Sequence, residues 1–165
     1  MMFNPFAIAV AQRLVGHPDD GGLSMSGANT NVAYAAGPGH PPTVQEVHTD
    51  SAELFDAGAS EADFTPPGSI YVNVPLCDAD ADTGATEMWL GTHRDPGLRR
   101  GMGYGDPGLR RSTSWPTPDM LSVWERRHGP AVRALAERGD ILLRDARVWH
   151  RGRENLGQTH RQCSA

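Results

Sequence analysis

His48 and Asp50 stand two residues apart in the segment VQEVHTD. On an extended chain that spacing sends both side chains off one face. An imidazole beside a carboxylate offers two metal donors and needs a third from elsewhere in the chain. His150, which closes the apolar run VWH, is the best third donor. Two histidines and one carboxylate on one face leave open coordination positions, which suits non-haem Fe(II). The same donors could hold zinc or manganese, so residue types alone leave the metal open. A zinc hydrolase is the weaker reading, because no general-base glutamate adjoins the histidines as in HExxH. Eleven residues after His150 comes Arg161. Its planar guanidinium can grip a carboxylate through two parallel bonds. A dicarboxylate could therefore chelate the metal at one end and be clamped by Arg161 at the other.

These residues need a scaffold, and the pattern around them suggests one. Asn4 and Pro5 open a helix that Gly16 stops, with Phe3, Phe6, Val10 and Leu14 forming one buried stripe. Residues 17–42, dense in Gly, Pro, Ser and Asn, read as a long loop. VQEVHTD follows as a short strand. Residues 69–76 are the clearest strand, with Ile70, Val72, Val74 and Leu76 on one face and Tyr71 and Asn73 on the other. An acidic turn over 77–84 leads to a returning strand at 85–90, a hairpin-like arrangement. Asp78, Asp80 and Asp82 alternate as in a calcium loop. Thr83 and Trp89 occupy the places where an EF-hand requires glycine and glutamate, which argues against calcium.

DPGLRR occurs at 95–100 and again at 106–111, so residues 95–116 read as one flexible excursion. It is a solvated loop lengthened by duplication, or a lid whose arginines meet an anionic substrate. Thr117 and Pro118 begin a helix that runs to about Arg127, and Gly129-Pro130 ends it. PAVRALAE is helical by propensity but short and bracketed by breakers, and its state stays open. Residues 141–143 and 148–150 are the last strands. Trp149 should face away from its neighbour His150, into the core. His17, His40, His128 and His160 read as solvated, and His93 opens a loop. Strands with turn punctuation and peripheral helices suggest an antiparallel sandwich or barrel.

The 165 residues suit a single domain with a sizeable core. The apolar share of 38% is too high for a disordered chain. The formal charge is −5 and every basic residue is arginine, with no basic stripe, which argues against nucleic acid. Cys77 and Cys163 are far apart and form no CxxC pair, so a reducing, cytoplasmic setting is the default. The first apolar run is too short to span a bilayer and has no basic residue before it, which argues against a membrane span.

Through NPFAIAVAQRLVG, QEVHTD, NVPLCDADADTGATEMWLGTHR and GDILLRDARVWHRGRENLGQTHR the chain resembles the phytanoyl-CoA dioxygenase (PhyH-like) family of Fe(II)/2-oxoglutarate oxygenases. The resemblance covers most of the sequence outside the 95–116 loop. It implies a mainly β fold with peripheral helices, a double-stranded β-helix or jelly-roll of the cupin-like kind, with the metal at its open mouth. It makes His48, Asp50 and His150 the catalytic iron ligands, and assigns Arg161 and Thr86 to the distal carboxylate of 2-oxoglutarate. Strand alternation agrees for Thr86, which shares a face with Met88 and Leu90. Gln45 would help to hold the cosubstrate. A regular strand would put it opposite His48, so a bulge or loop is required there. PAVRAL is extended in this family. The implied reaction consumes O2 and 2-oxoglutarate, releases succinate and CO2, and oxidises a small organic substrate, by hydroxylation or another outcome.

Members of the family usually carry a further segment before the first helix and at least one strand after the arginine. Residues 1–165 therefore read as one partial domain, with Arg161 loosely held and with unpaired strand edges open to self-association. The alternative reading is a catalytically impaired fragment or a non-catalytic metal-binding jelly-roll.

Overall fold

Asn4 starts the first helix as its residue type predicts. Its side-chain oxygen accepts the backbone N–H of Phe6 at 2.9 Å and of Ala7 at 3.2 Å, which caps α1, Pro5–Val15. The computed structural model describes residues 4–15, 23, 27–50, 69–95 and 116–164. Phe3, Gly16, His17 and nearly all of the 95–116 excursion, both DPGLRR copies included, lie outside the described residues, Asp95 excepted. The buried face of α1 is not the expected stripe. Ala7 and Ala11 are buried, whereas Phe6 is 68% exposed and Leu14 45%. α1 contacts strand β2, Ile70–Pro75.

Two antiparallel sheets follow. The larger has the order β1-β7-β2-β5, in which β1 is Thr30–Ala33, β5 is Leu142–Asp145 and β7 is Arg161–Ser164. β1 corrects the expectation of an unbroken loop over 17–42. TNVA has no apolar alternation to announce it, and it is ordered by pairing with β7, Thr30 opposite Ser164 and Ala33 opposite Arg161. The smaller sheet runs β4-β3-β6, formed by Val132–Arg133, Glu87–Trp89 and Trp149–Arg151.

The expected hairpin between 69–76 and 85–90 does not form, because β2 and β3 belong to different sheets. The acidic turn closes on itself instead. The Asp80 carboxylate accepts the N–H groups of Asp82 and Thr83, each at 2.8 Å, and the Ala85 N–H reaches the Asp80 carbonyl. Those amide donors hold the Asp80 carboxyl below its usual range. The turn thus carries the chain from one sheet to the other. The segment PAVRALAE is extended. The Ala134 N–H donates to the Thr86 carbonyl at 2.8 Å and Ala136 bridges Ala79, contacts that outweigh its helical propensity.

Helix α2, Pro118–His128, begins where Thr117 accepts the Met120 N–H, as its sequence predicts. It covers one face of the small sheet. Trp89 and Trp149 are register partners on that face, and with Val47 and Trp124 they form the buried core, 2–6% exposed. Trp89 Nε1 donates to Glu125 at 2.8 Å. The Thr92 hydroxyl ties the Trp89 carbonyl to the Trp149 N–H, at 2.8 and 2.9 Å. The other face carries the neighbouring register pair, Met88 opposite His150. One sheet therefore packs tryptophans outward against a helix and turns a histidine inward. Among the described residues no helix is long and apolar enough to cross a membrane.

Candidate metal centre

Backbone hydrogen bonds bring residues 45–50 alongside 146–152. Gln45 N–H donates to Gly152, His48 and His150 exchange bonds in both directions, and Asp50 N–H donates to Ala146, all at 2.9–3.0 Å. The segment is not the regular strand its sequence suggests, since it bridges at His48 without continuing as a ladder. Three residues advance from 45 to 48 while two advance from 150 to 152. That extra residue, in a segment outside any strand, is the loop irregularity that Gln45 requires. Gln45 Oε1 accepts the Gly152 N–H at 2.7 Å, and Gln45 lines the same cavity as His48. The turn after β5 is held by Asp145, whose carboxylate accepts Arg147 N–H and guanidinium donors at 2.6–2.9 Å. Burial alone would raise the Asp145 carboxyl, but these Arg147 bonds hold it below its usual range.

Each histidine is oriented by its own backbone. His48 Nδ1 lies 2.8 Å from the Glu46 carbonyl and His150 Nδ1 lies 2.9 Å from the Val148 carbonyl. Because carbonyls only accept, each Nδ1 carries the proton and each Nε2 keeps a lone pair. The two rings are 4.4 Å apart. His48 Nε2 is 3.9 Å from Asp50 Oδ1, and His150 Nε2 is 3.4 Å from Asp50 Oδ2. One donor atom from each of the three residues lies within 4.8 Å of the others. Donors on adjacent positions of a first-row metal are about 3 Å apart, so a bound ion would draw the three side chains together by up to about 2 Å to complete a facial site. The donor set and its tautomers fit an Fe(II) ion. His150 is only 6% exposed, and burial, then the Arg144 charge, push its pKa from 6.5 down to about 4. It is therefore neutral, and able to ligate, near pH 7.

Arg144 is the residue that sequence reasoning missed. It is 7% exposed, Nη2 pairs with Asp50 Oδ2 at 2.5 Å, and Nη1 lies 3.2 Å from His150 Nδ1. With Nδ1 donating to Val148, the last contact is a close approach of two donors rather than a hydrogen bond. Its guanidinium lies over the Tyr71 ring, 5.0 Å from the centroid, and the two residues are register partners across β2 and β5. The available signal was a lone charge ending the apolar run ILLR, since a buried arginine must find an acid.

A cavity of about 680 Å³ between the sheets is lined by Gln45, His48, Asp50, Thr86, His150 and Arg161 together. Arg161 corrects the expectation of a loosely held side chain. It heads β7, which pairs with β1 on one side and β2 on the other, and it is 8% exposed. Its Nε donates to the Thr83 carbonyl at 3.1 Å, and no carboxylate among the described residues pairs with it. The acidic turn supports this neighbourhood through several carbonyls. Asp82 accepts the N–H groups of Leu156 and Gly157, and Ala81 accepts from Arg133. Asn155, 2% exposed, donates to the carbonyls of Ala33 and Thr159.

Three histidines read as solvated are engaged with other side chains or the backbone. His128 stacks on Trp124 at 3.9 Å. His40 stacks on Tyr34 at 4.7 Å, and His160 Nδ1 accepts the Ala35 N–H. Short-range polarity in the sequence does not reveal such ring partners.

The phytanoyl-CoA dioxygenase (PhyH) family matches residues 23–163. Among solved structures, the chain is similar to the crystal structure of EvdMO1, with 17% identity and a TM-score of 0.59. That match covers 99% of this chain and 30% of the other. It is also similar to EctD from S. alaskensis in its apoform, with 15% identity, a TM-score of 0.57, and coverage of 83% and 41%. At these identities the likeness is one of fold, and the chain spans well under half of either solved chain.

Proposed function

The chain belongs to the phytanoyl-CoA dioxygenase family, and from that premise we propose that it is a non-haem Fe(II)/2-oxoglutarate-dependent dioxygenase acting on a small organic substrate. The observation that carries this reading is one cavity holding two different recognition elements. At one place three metal donors lie within 4.8 Å. At another, a buried arginine has no carboxylate partner among the described residues. A ligand with a chelating end and a carboxylate end satisfies both, and 2-oxoglutarate is such a molecule.

His48, Asp50 and His150 would hold Fe(II). Bound there, the metal supplies O2 activation coupled to decarboxylation of 2-oxoglutarate to succinate and CO2, with oxidation of the substrate by hydroxylation or a related outcome. The protein's own groups prepare this chemistry. The Glu46 and Val148 carbonyls fix the ring tautomers. The depressed pKa of His150 keeps a proton off the donor nitrogen at neutral pH. Arg161 supplies a charged fork for the far carboxylate, with Thr86 as a hydroxyl partner, and Gln45 braces the cavity wall through Gly152. Free thiols at Cys77 and Cys163 fit a reducing, cytoplasmic setting.

Anaerobic addition of Fe(II) and 2-oxoglutarate should give the weak visible charge-transfer band of the chelate, and admission of O2 should release succinate. No band from folded protein refutes the reading. A second reading, a metal-binding jelly-roll without turnover, is favoured by the Arg144–Asp50 ion pair, which already neutralises the carboxylate. Metal binding without succinate release would select it.

A further inference from the structure

We propose that Arg144 is a positioning residue of this centre, restricting Asp50 to donation through one oxygen. The inference rests on the metal-centre reading above. Four observations place Arg144 where no other described cation stands. It is buried; it pairs with Asp50 Oδ2 at 2.5 Å; it lies against the edge of His150; and Tyr71 covers its face. Register pairing between β2 and β5 fixes both Tyr71 and Arg144, so the guanidinium is carried by paired strands and not by a loop.

The consequence for Asp50 is specific. A free aspartate can rotate, or chelate a cation through both oxygens. With Oδ2 held by Nη2, rotation is blocked. Oδ1 has no hydrogen-bond partner among the described residues, and it lies 3.9 Å from His48 Nε2. One oxygen therefore remains for the metal, and the face opposite the three donors stays open for other ligands. A lysine could supply the charge but not the planar guanidinium that pairs with Asp50 while lying over the Tyr71 ring.

The direction of the effect separates positioning from mere charge. A bare positive charge beside the site repels a divalent cation, so removing it would tighten metal binding. Loss of a positioning partner does the opposite, typically by about 10- to 100-fold. The experiment measures Mn2+ dissociation constants by electron paramagnetic resonance for wild type, Arg144→Gln and Arg144→Lys, with thermal melts of the metal-free proteins alongside. Arg144→Gln should bind Mn2+ about 10- to 100-fold more weakly, with partial recovery in Arg144→Lys and an altered signal from the bound ion. Unchanged or tighter binding in a folded Arg144→Gln overturns the proposal and leaves the metal centre standing. No Mn2+ binding by wild type overturns the metal centre, and the proposal with it. Because Arg144→Gln could fail to fold, wild type supplies a second test by nuclear magnetic resonance. The Arg144 guanidinium protons should stay slow to exchange with solvent when Zn2+ binds. Their release would show that the metal displaces Arg144 from Asp50, which overturns the proposal independently.

Discussion

Gly84→Ala tests whether the acidic turn holds the cosubstrate end of the cavity. Gly84 has φ +81°, a backbone conformation that costs a residue with a Cβ about 1–2 kcal/mol. A Cβ built there would lie 2.7 Å from the Arg153 carbonyl oxygen and 3.3 Å from the Asn155 nitrogen. Both are backbone atoms, so no side chain can swing aside, and the gap must open by roughly 0.7 Å. Overpacking of this kind adds about 1–2 kcal/mol. Together these give a loss of about 2–4 kcal/mol, or about 5–15 °C in Tm for a domain of this size. The same movement shifts Thr83, whose carbonyl holds Arg161, so the KM for 2-oxoglutarate should rise about tenfold while folded protein keeps its metal affinity. Gly39→Ala is the control. Gly39 has φ +87° but nothing within 4 Å of its Cβ position, so it carries the backbone cost alone. Melts of the metal-free variants, followed by circular dichroism, give the comparison. Equal losses for Gly39→Ala and Gly84→Ala would refute the close approach, and an unchanged KM in Gly84→Ala would refute its link to Arg161.

Three further outcomes are expected. Metal-free protein should lose stability as pH falls from 6.5 towards 4. An unfolded chain protonates its His150 near 6.5, whereas the folded ring resists until about 4, so acid favours unfolding across that window by roughly 3 kcal/mol in total and no further below it. Denaturant titrations of wild type and His150→Gln, which should lack this part of the slope, provide the check. Arg161→Gln should raise the KM for 2-oxoglutarate about 100-fold with a smaller change in kcat, from loss of a charged two-bond grip; a KM within twofold of wild type contradicts the assigned clamp. Trp149→Ala should cost about 3–5 kcal/mol, since Trp149 is 2% exposed and meets Trp124 at 6.3 Å, and a melt within 2 °C of wild type would place it outside the core.

Legibility in the sequence followed the range of the physical signal. Asn4 and Thr117 were readable as caps because capping is settled within three residues. Trp149 was readable as core because strand alternation opposes it to His150. The break in alternation at Gln45 was readable because parity demanded a bulge or loop there. β1 was not, since TNVA owes its order to β7, roughly 130 residues later in the chain. The supposed hairpin failed for a related reason. Apolar alternation marks a strand and its inward face, but not which partner it takes, and a self-closed turn at Asp80 redirected the chain. The buried stripe of α1 failed because periodicity ranks large apolar residues first, whereas the residues buried here are Ala7 and Ala11.

The two charged ends of the cavity follow opposite rules. The Asp50 side chain is 21% exposed and pairs with Arg144 at 2.5 Å, so its negative charge is balanced within the protein. Arg161 is buried with only a carbonyl on its Nε, and its charge is balanced by no acid among the described residues. A buried charge with neutral partners is costly unless a ligand completes it. That asymmetry is what the proposed function reads as an anion site at Arg161, and it leaves a resting Asp50 tolerable without metal. Arg161 could be found from sequence because its spacing from His150 marks it. The sequence marks Arg144 only as a charge ending an apolar run, and not its partner, because that contact is with a residue nearly a hundred positions earlier and needs 45–50 to lie alongside 146–152.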